Sequence, residues 1–237
     1  MKRLIALIAA VGLVAGCGST SQPAGTTAAN RASPTQRFTS RVDNPWFPLL
    51  PGMRWEYRGV KDGKPSHEIV KVTGATKVID GIRCIAVSDR LYITGYLGER
   101  TTDWYAQDSS GTVWYFGEDT AELNASGKVT SREGSWQSGR SGAKAGIFMP
   151  AQPRVGQTFR QEYLKGHAED HFAVVSLSAS VRAPGASSSH ALLTKEWTPL
   201  EPDVIDHKLY VKGIGVVKEQ TVRGGNERNI LTSFRRA

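Results

Sequence analysis

The densest group of chemically capable side chains is the run His167-Ala168-Glu169-Asp170-His171, which places two histidines four residues apart. The residues that follow, 172–177, are mostly apolar and include two valines in succession, a pattern typical of a strand. On a strand, four residues span about 13 Å, whereas zinc ligands lie about 2 Å from the ion. The two histidines therefore cannot share one metal by themselves, although a ligand from a neighbouring strand could join either one. We expect a solvated polar strand end here and assign no metal ligand.

The serine-nucleophile motif is incomplete, and the sequence alone does not identify a pair of catalytic carboxylates. Gly139-Arg140-Ser141-Gly142-Ala143 approaches the Gly-x-Ser-x-Gly nucleophile motif, but alanine stands where the motif has its second glycine. Carboxylates are numerous, and a glycosidase needs two of them about 5–10 Å apart, a distance that a sequence does not contain. We therefore assign no catalytic residue and no cofactor, and keep a secreted hydrolase acting on envelope glycan or lipid as the alternative function.

The first of the two cysteines lies at the end of a segment typical of export signals. A short basic start, Met1-Lys2-Arg3, precedes an uncharged apolar stretch that is shorter than the about 20 residues of a membrane-spanning helix. Val14-Ala15-Gly16-Cys17 then resembles the bacterial lipobox. That resemblance implies a diacylglyceryl group on the Cys17 thiol and removal of residues 1–16 as a signal peptide. The mature protein is then expected outside the cytoplasm, in the cell envelope, anchored by lipid to a bacterial membrane.

Residues 17–42 are expected to be a lipidated, disordered linker. Between Gly18 and Arg41 only Phe38 is a large apolar residue, so the segment cannot bury enough surface to offset the entropy of ordering the chain. The β-rich domain is expected to span residues 43–237. Its single cysteine, Cys84, lies in the apolar run 82–87 and is predicted to be a buried small hydrophobe rather than a reactive thiol.

The net charge of +8 is concentrated near the N terminus. Residues 1–42 hold five basic residues and no acidic one, so residues 43–237 hold 25 basic and 22 acidic residues, a net charge of +3. Nucleic-acid binding requires a dense basic patch. The near balance of charge in the domain predicts that nucleic acid is not a partner, and the sequence leaves the oligomeric state open.

The domain alternates apolar and polar residues with frequent turn signals, which predicts about twelve antiparallel β-strands. Lys61-Asp62-Gly63-Lys64 and Asp80-Gly81 are typical hairpin turns. We expect an all-β fold in which an antiparallel meander forms a curved sheet or barrel, because such folds limit exposed strand edges. Gly117–Gly127 and Gly139–Gly156 are predicted to be loops.

Several motifs of the domain are distinctive as a set. They include Asn44-Pro45-Trp46-Phe47-Pro48-Leu49, Asp103-Trp104-Tyr105-Ala106-Gln107-Asp108, Val113-Trp114-Tyr115-Phe116-Gly117-Glu118, Gly146-Ile147-Phe148-Met149-Pro150-Ala151 and Thr194-Lys195-Glu196-Trp197-Thr198-Pro199. Together they resemble an uncharacterised family of bacterial exported proteins, over about residues 44–222. The resemblance implies an exported protein and implies no activity.

Two groups of large apolar residues are candidates for contact with a ligand. Trp104 and Trp114 lie on aromatic-rich strands, where stacking on a sugar competes with core packing. Ile147, Phe148 and Met149 lie consecutively in the predicted loop 139–156, where they form either a fixed plug over the sheet or the lip of a binding site. The leading interpretation is a non-enzymatic binding module for an apolar or amphiphilic ligand or for an envelope partner.

Overall fold

The computed structural model describes residues 36–236, which form sixteen β-strands and no helix. Within this range there is accordingly no helix of the length and apolarity needed to cross a membrane. Cys17 and most of the predicted linker lie outside the described residues. The strands are β1 Phe38–Thr39, β2 Arg54–Lys61, β3 Lys64–Ile79, β4 Ile82–Ile93, β5 Tyr96–Asp108, β6 Val113–Leu123, β7 Val129–Ser131, β8 Trp136–Gln137, β9 Lys144–Met149, β10 Thr158–Arg160, β11 Glu162–Tyr163, β12 His171–Ala183, β13 Ala186–Trp197, β14 Ile205–Val211, β15 Gly215–Arg223 and β16 Arg228–Arg235.

All the strands pair antiparallel in one sheet that is nearly closed into a barrel. The main path runs β10-β12-β13-β14-β15-β16-β2-β3-β4-β5-β6-β9-β11, and the short strands β1, β7 and β8 pair beside it, on β5 and β6. Strands β10 and β11 lie at opposite ends of this path, yet only Gln161 separates them in the chain. The chain itself therefore brings the two ends of the sheet together, which confirms the expected all-β antiparallel architecture.

The hairpin turns have the backbone geometry that their residues favour. Asp62 and Gly63 have φ values of 51° and 70°, and Asp80 and Gly81 have values of 51° and 78°. Two consecutive residues with positive φ are the signature of the turn type whose twist matches that of the flanking strands. These two turns fix the registers of the β2–β3 and β3–β4 hairpins.

Alternation along the strands produces two separate apolar clusters. The larger one, on the inner face, contains Tyr105, Tyr115, Phe148 and Tyr210 among 25 buried residues. The smaller one lies on the opposite face of β4, β5 and β6 and consists of Ile79, Cys84, Ala86, Trp104, Ala106, Trp114 and Phe116. Because neighbouring residues of a strand point to opposite faces, both clusters draw on the same strands.

Several segments predicted as loops are strands, and this raises the strand count from about twelve to sixteen. Gly117–Leu123 continues β6, where β7 and β8 pair with it. Residues 144–149, inside the predicted loop 139–156, form β9 and pair with β6 and β11. The loop prediction is wrong for these residues. Their glycine- and proline-rich surroundings favour turns locally, but pairing with a long neighbouring strand holds the backbone extended.

Residues before 43, the expected domain boundary, already pack on the sheet. Phe38 and Thr39 pair with β5, and Val42 is fully buried. The ring of Phe38 makes edge contacts with Trp114 and Phe116, at centroid distances of 6.0 and 5.5 Å. The single large apolar side chain of the predicted linker thus packs on the outer cluster, and residues 36–42 belong to the described domain.

Candidate functional site

A cavity of about 60 Å³ lies within the barrel, where apolar walls meet acidic side chains. The six neighbouring strands β15, β16, β2, β3, β4 and β5 form its wall, and a segment that precedes β2 covers it. The lining residues are Phe47, Pro48, Leu49, Trp55, Tyr57, Glu68, Val70, Val87, Asp103, Tyr105, Gly215, Val216, Glu219 and Asn229. An apolar cavity with a few convergent polar groups is the usual form of a small-molecule site.

Hydrogen bonds fix the orientation of the aromatic walls. The Trp55 Nε1–H donates to the carbonyl oxygen of Ile214 at 2.7 Å, and the Tyr57 hydroxyl donates to that of Val216 at 3.0 Å. Both bonds reach from β2 past the intervening strand β16 to the turn before β15 and to the start of β15. With their polar atoms satisfied by these carbonyl oxygens, the rings present apolar surface to the cavity.

The acidic side of the interior is organised around Lys208, which is 1% exposed. Its Nζ lies 2.7 Å from Glu196 Oε2 and 3.3 Å from Glu219 Oε1. The Tyr210 hydroxyl also donates to Glu196, at 3.3 Å. One ammonium therefore pairs with two carboxylates, and the charges of Asp206 on β14 and Glu68 on β3 also act on Glu219.

Burial and crowding shift the titration of these groups. Burial raises the pKa of Glu219 to about 7, against the opposing effect of Lys208. Burial by itself would lower the pKa of Lys208, but the carboxylates of Glu196 and Glu219 outweigh it and hold that pKa well above its ordinary value. Burial, followed by the charge of Glu68, raises the pKa of the Tyr57 hydroxyl. Glu219 consequently takes up a proton near neutral pH, inside the barrel and at the cavity wall.

The five predicted ligand contacts are divided between the two faces of the sheet. Trp104 and Trp114, 8% and 5% exposed, lie in the outer cluster, and Ile147 packs against them. The Trp114 Nε1–H donates to Asp108 Oδ2 at 2.9 Å, and Lys77 Nζ lies 3.7 Å from the centre of a Trp104 ring. Trp114 is thus enclosed by the protein's own side chains, whereas the edge of Trp104 also lines a surface pocket of about 390 Å³ beside Lys77 and Trp136.

Phe148 and Met149 lie in the inner cluster, 1% and 0% exposed. The ring of Phe148 contacts Phe47, Tyr105 and Tyr115 at centroid distances of 4.4, 5.1 and 5.8 Å. Phe148 thus contacts two residues that line the cavity, Phe47 and Tyr105. In this position Phe148 supports the cavity from behind.

Cysteine and histidine chemistry is limited by the surroundings. Cys84 is fully buried in the outer cluster, and burial raises the pKa of its thiol to about 12. The thiolate is then scarce at neutral pH, and the prediction of a buried small hydrophobe is confirmed.

His171 Nε2 lies 3.3 Å from Arg160 Nε, and its ring stacks on Trp197 at 5.7 Å. Among residues 36–236, no group of three or more His, Cys, Asp or Glu side chains is arranged to hold a metal ion.

The cavity residues were not predicted from the sequence, although the register of one hairpin indicates four of them. The hairpin turn at Asp62-Gly63 pairs Lys61 with Lys64 and therefore places Tyr57 opposite Glu68. Trp55 and Val70 are paired two residues further along, on the same face. The register of this one hairpin supplies four of the lining residues, whereas those of β15 and β16 come from long-range pairing.

The comparisons with known proteins leave the function open. No protein-family profile matches the chain, and no curated protein is significantly similar to it. Two solved structures were found. A Bacteroides fragilis protein with a YmcC-like fold, named as an exported protein, has 14% identity and a TM-score of 0.45. A Parabacteroides distasonis protein named as a lipoprotein has 10% identity and a TM-score of 0.42. Each match covers 81% of this chain and 99% of the other. Both likenesses are too distant to add to what the geometry indicates.

Proposed function

We propose that this protein is a lipid-anchored protein of the bacterial cell envelope that binds a small amphiphile, with the apolar end of the ligand in the barrel cavity. The observation that carries the binding proposal is the cavity itself, which has aromatic and aliphatic walls and, at one side, the carboxylates of Glu68, Asp103 and Glu219. An apolar group gains free energy by leaving water for such a wall, and a polar group on the same molecule can reach the acidic side.

The size of the cavity restricts the ligand. About 60 Å³ corresponds to roughly two water molecules, which suits a short alkyl end group. The covering segment is held in place, because the Leu49 N–H donates to the Val42 carbonyl at 2.9 Å and the Gly213 N–H donates to that of Pro45 at 2.7 Å. We therefore propose entry of one small group rather than enclosure of a long chain.

A cavity-filling substitution tests the binding proposal. Val70→Phe adds a ring to the cavity wall, so the variant should lose both xenon uptake, followed by ¹²⁹Xe NMR, and any amphiphile that native mass spectrometry detects on the protein extracted from envelopes. Val175→Phe makes the same change on β12 at a side chain that is 41% exposed, and it should retain both. Failure of xenon to enter the unaltered protein, together with the absence of a bound amphiphile, would contradict the proposal.

Anchoring rests on the lipobox-like sequence at residues 14–17 and has its own test. Cys17→Ser removes the thiol that would carry the diacylglyceryl group, so the chain should appear in the soluble fraction or remain unprocessed. Cys84→Ala removes the other cysteine, which lies in the outer cluster, and should leave membrane association intact. Recovery of mature-length Cys17→Ser protein with membranes would refute lipid anchoring.

A further inference from the structure

Three arginines surround a second pocket, on the outer face of β4, β5 and β6. Its volume is about 220 Å³, and its lining consists of Arg90, Arg100, Thr101, Thr102, Asp119, Ala121 and Arg132. Arg90 and Arg100 are direct partners across the β4–β5 pair, and Arg132 follows β7 at the edge of β6. Two strands and the segment after β7 thus bring three guanidinium groups to one place.

The pocket has an excess of positive charge. Its single carboxylate, Asp119, lies 3.2 Å from Arg132 Nη1. The Arg90 guanidinium donates to the carbonyl oxygens of Asp89 and Thr101, at 2.6 and 2.8 Å, which fixes its position without neutralising it. Within residues 36–236, the Arg100 side chain has neither a hydrogen-bond nor an ion-pair partner. Three guanidiniums and one carboxylate leave a net charge of +2.

Like charges directly opposite each other on paired strands are destabilising. An anion between Arg90 and Arg100 would remove that repulsion and would receive the forked N–H donors that guanidinium groups offer to oxyanions. A phosphate monoester carries about −1.5 to −2 charges at neutral pH, which matches the net charge of the pocket. The volume, about that of seven water molecules, accommodates a phosphate group and part of its hydration.

We propose that this pocket binds a phosphate monoester group, with Arg100 as the principal ligand and Arg90 and Arg132 on either side of it. The site lies on the opposite face of the sheet from the barrel cavity, and the proposal is independent of amphiphile binding there. The same chemistry could be supplied by a soluble phosphate or by the headgroup of an anionic lipid.

The test uses the complete lipidated protein in nonionic detergent, titrated by calorimetry with inorganic phosphate and, separately, with short-chain phosphatidic acid. The unaltered protein should bind one equivalent. Arg100→Gln should weaken binding about tenfold or more, while Arg182→Gln, the same charge change at an exposed residue of β12, should not. Because Arg100 is exposed, the variant should keep the melting temperature of the unaltered protein.

The outcomes separate the two phosphate sources. Binding of both ligands supports a site for the phosphate group alone, and binding of phosphatidic acid alone supports the site with a lipid headgroup as its ligand. If neither ligand binds, or if Arg182→Gln weakens binding as much as Arg100→Gln, the pocket is not a phosphate site.

Discussion

Glu219 is the cavity residue whose charge depends most directly on conditions near neutral pH. Its carboxylate is surrounded by Lys208, Glu196, Asp206 and Glu68, and the Asn229 side chain donates to the last of these. Burial raises the pKa from an ordinary value of 4.5 to about 7. Burial also raises the pKa of Glu227 to about 7, despite its pairing with Lys61. The interior of this protein therefore changes its protonation between mildly acidic and neutral solution.

This shift predicts a specific pH dependence of stability. Because the folded protein holds the Glu219 proton more tightly than the unfolded chain does, the resulting stabilisation is complete below about pH 4.5 and is lost as the pH rises through 7. In Glu219→Gln, which mimics the protonated form, that loss should be absent. The free energy of unfolding of the unaltered protein, relative to this variant, should fall by up to about 3 kcal/mol between pH 4.5 and 7.

Urea unfolding at a series of pH values measures this difference, and Glu133→Gln is the control. The Glu133 side chain is 62% exposed, and its substitution should leave the pH dependence of the unaltered protein in place. A Glu219→Gln variant with the same pH dependence as the unaltered protein would show that Glu219 titrates normally.

At the scale of elements, β9 shows how a neighbour decides a segment's structure. Its residues Ile147 and Phe148 point to opposite faces, one into the outer cluster and one into the inner cluster. Gly146, the residue before Ile147 on the same strand, lies against the backbone of Arg160 and Gln161, where β10 passes into β11. A Cβ atom at Gly146 would lie 2.4 Å from the Arg160 carbonyl oxygen and 2.5 Å from that of Gln161. Only glycine allows this approach of two backbones.

Gly146→Ala should therefore weaken the closure of the barrel. We expect a loss of about 1–3 kcal/mol in the free energy of unfolding, together with faster amide exchange in β10 and β11. Lys144→Ala, at an exposed residue of the same strand, should change stability by less than about 0.5 kcal/mol. Stability and exchange like those of the unaltered protein would mean that the two ends of the sheet can separate at no cost.

At the scale of the whole molecule, many more acidic than basic side chains are buried. Nine of the 22 aspartates and glutamates are buried, but only Lys61 and Lys208 are buried among the 27 lysines and arginines between residues 36 and 236. The remaining side chains, 25 basic and 13 acidic, are partly or fully exposed, Glu219 and Asp206 among them, and give an excess of twelve positive charges. The near balance that the sequence shows does not describe the surface, which attracts anions more strongly than the net charge suggests.

Local sequence determined the class of fold and two of its hairpins. Alternation of apolar residues specified strands, and Asp62-Gly63 and Asp80-Gly81 specified turns, because these properties depend only on a residue and its near neighbours in the chain. The buried state of Cys84 followed in the same way from its apolar run. The lipobox-like residues at 14–17 are a purely local signal as well, and anchoring through Cys17 remains a prediction.

Only the tertiary structure decided which strands are neighbours and which face is the interior. The pairing of β16 with β2, in which Arg235 lies opposite Arg54, joins residues about 180 positions apart and gives no local signal. That pairing places β15 and β3 in one stretch of sheet, brings Glu219 near Glu68 and makes a cavity of residues from both ends of the domain. Pairing of β4 with β5 likewise sets Arg90 against Arg100. The physical reason is that a strand's period fixes two alternating faces, whereas the choice between them is made by the packing of the entire sheet.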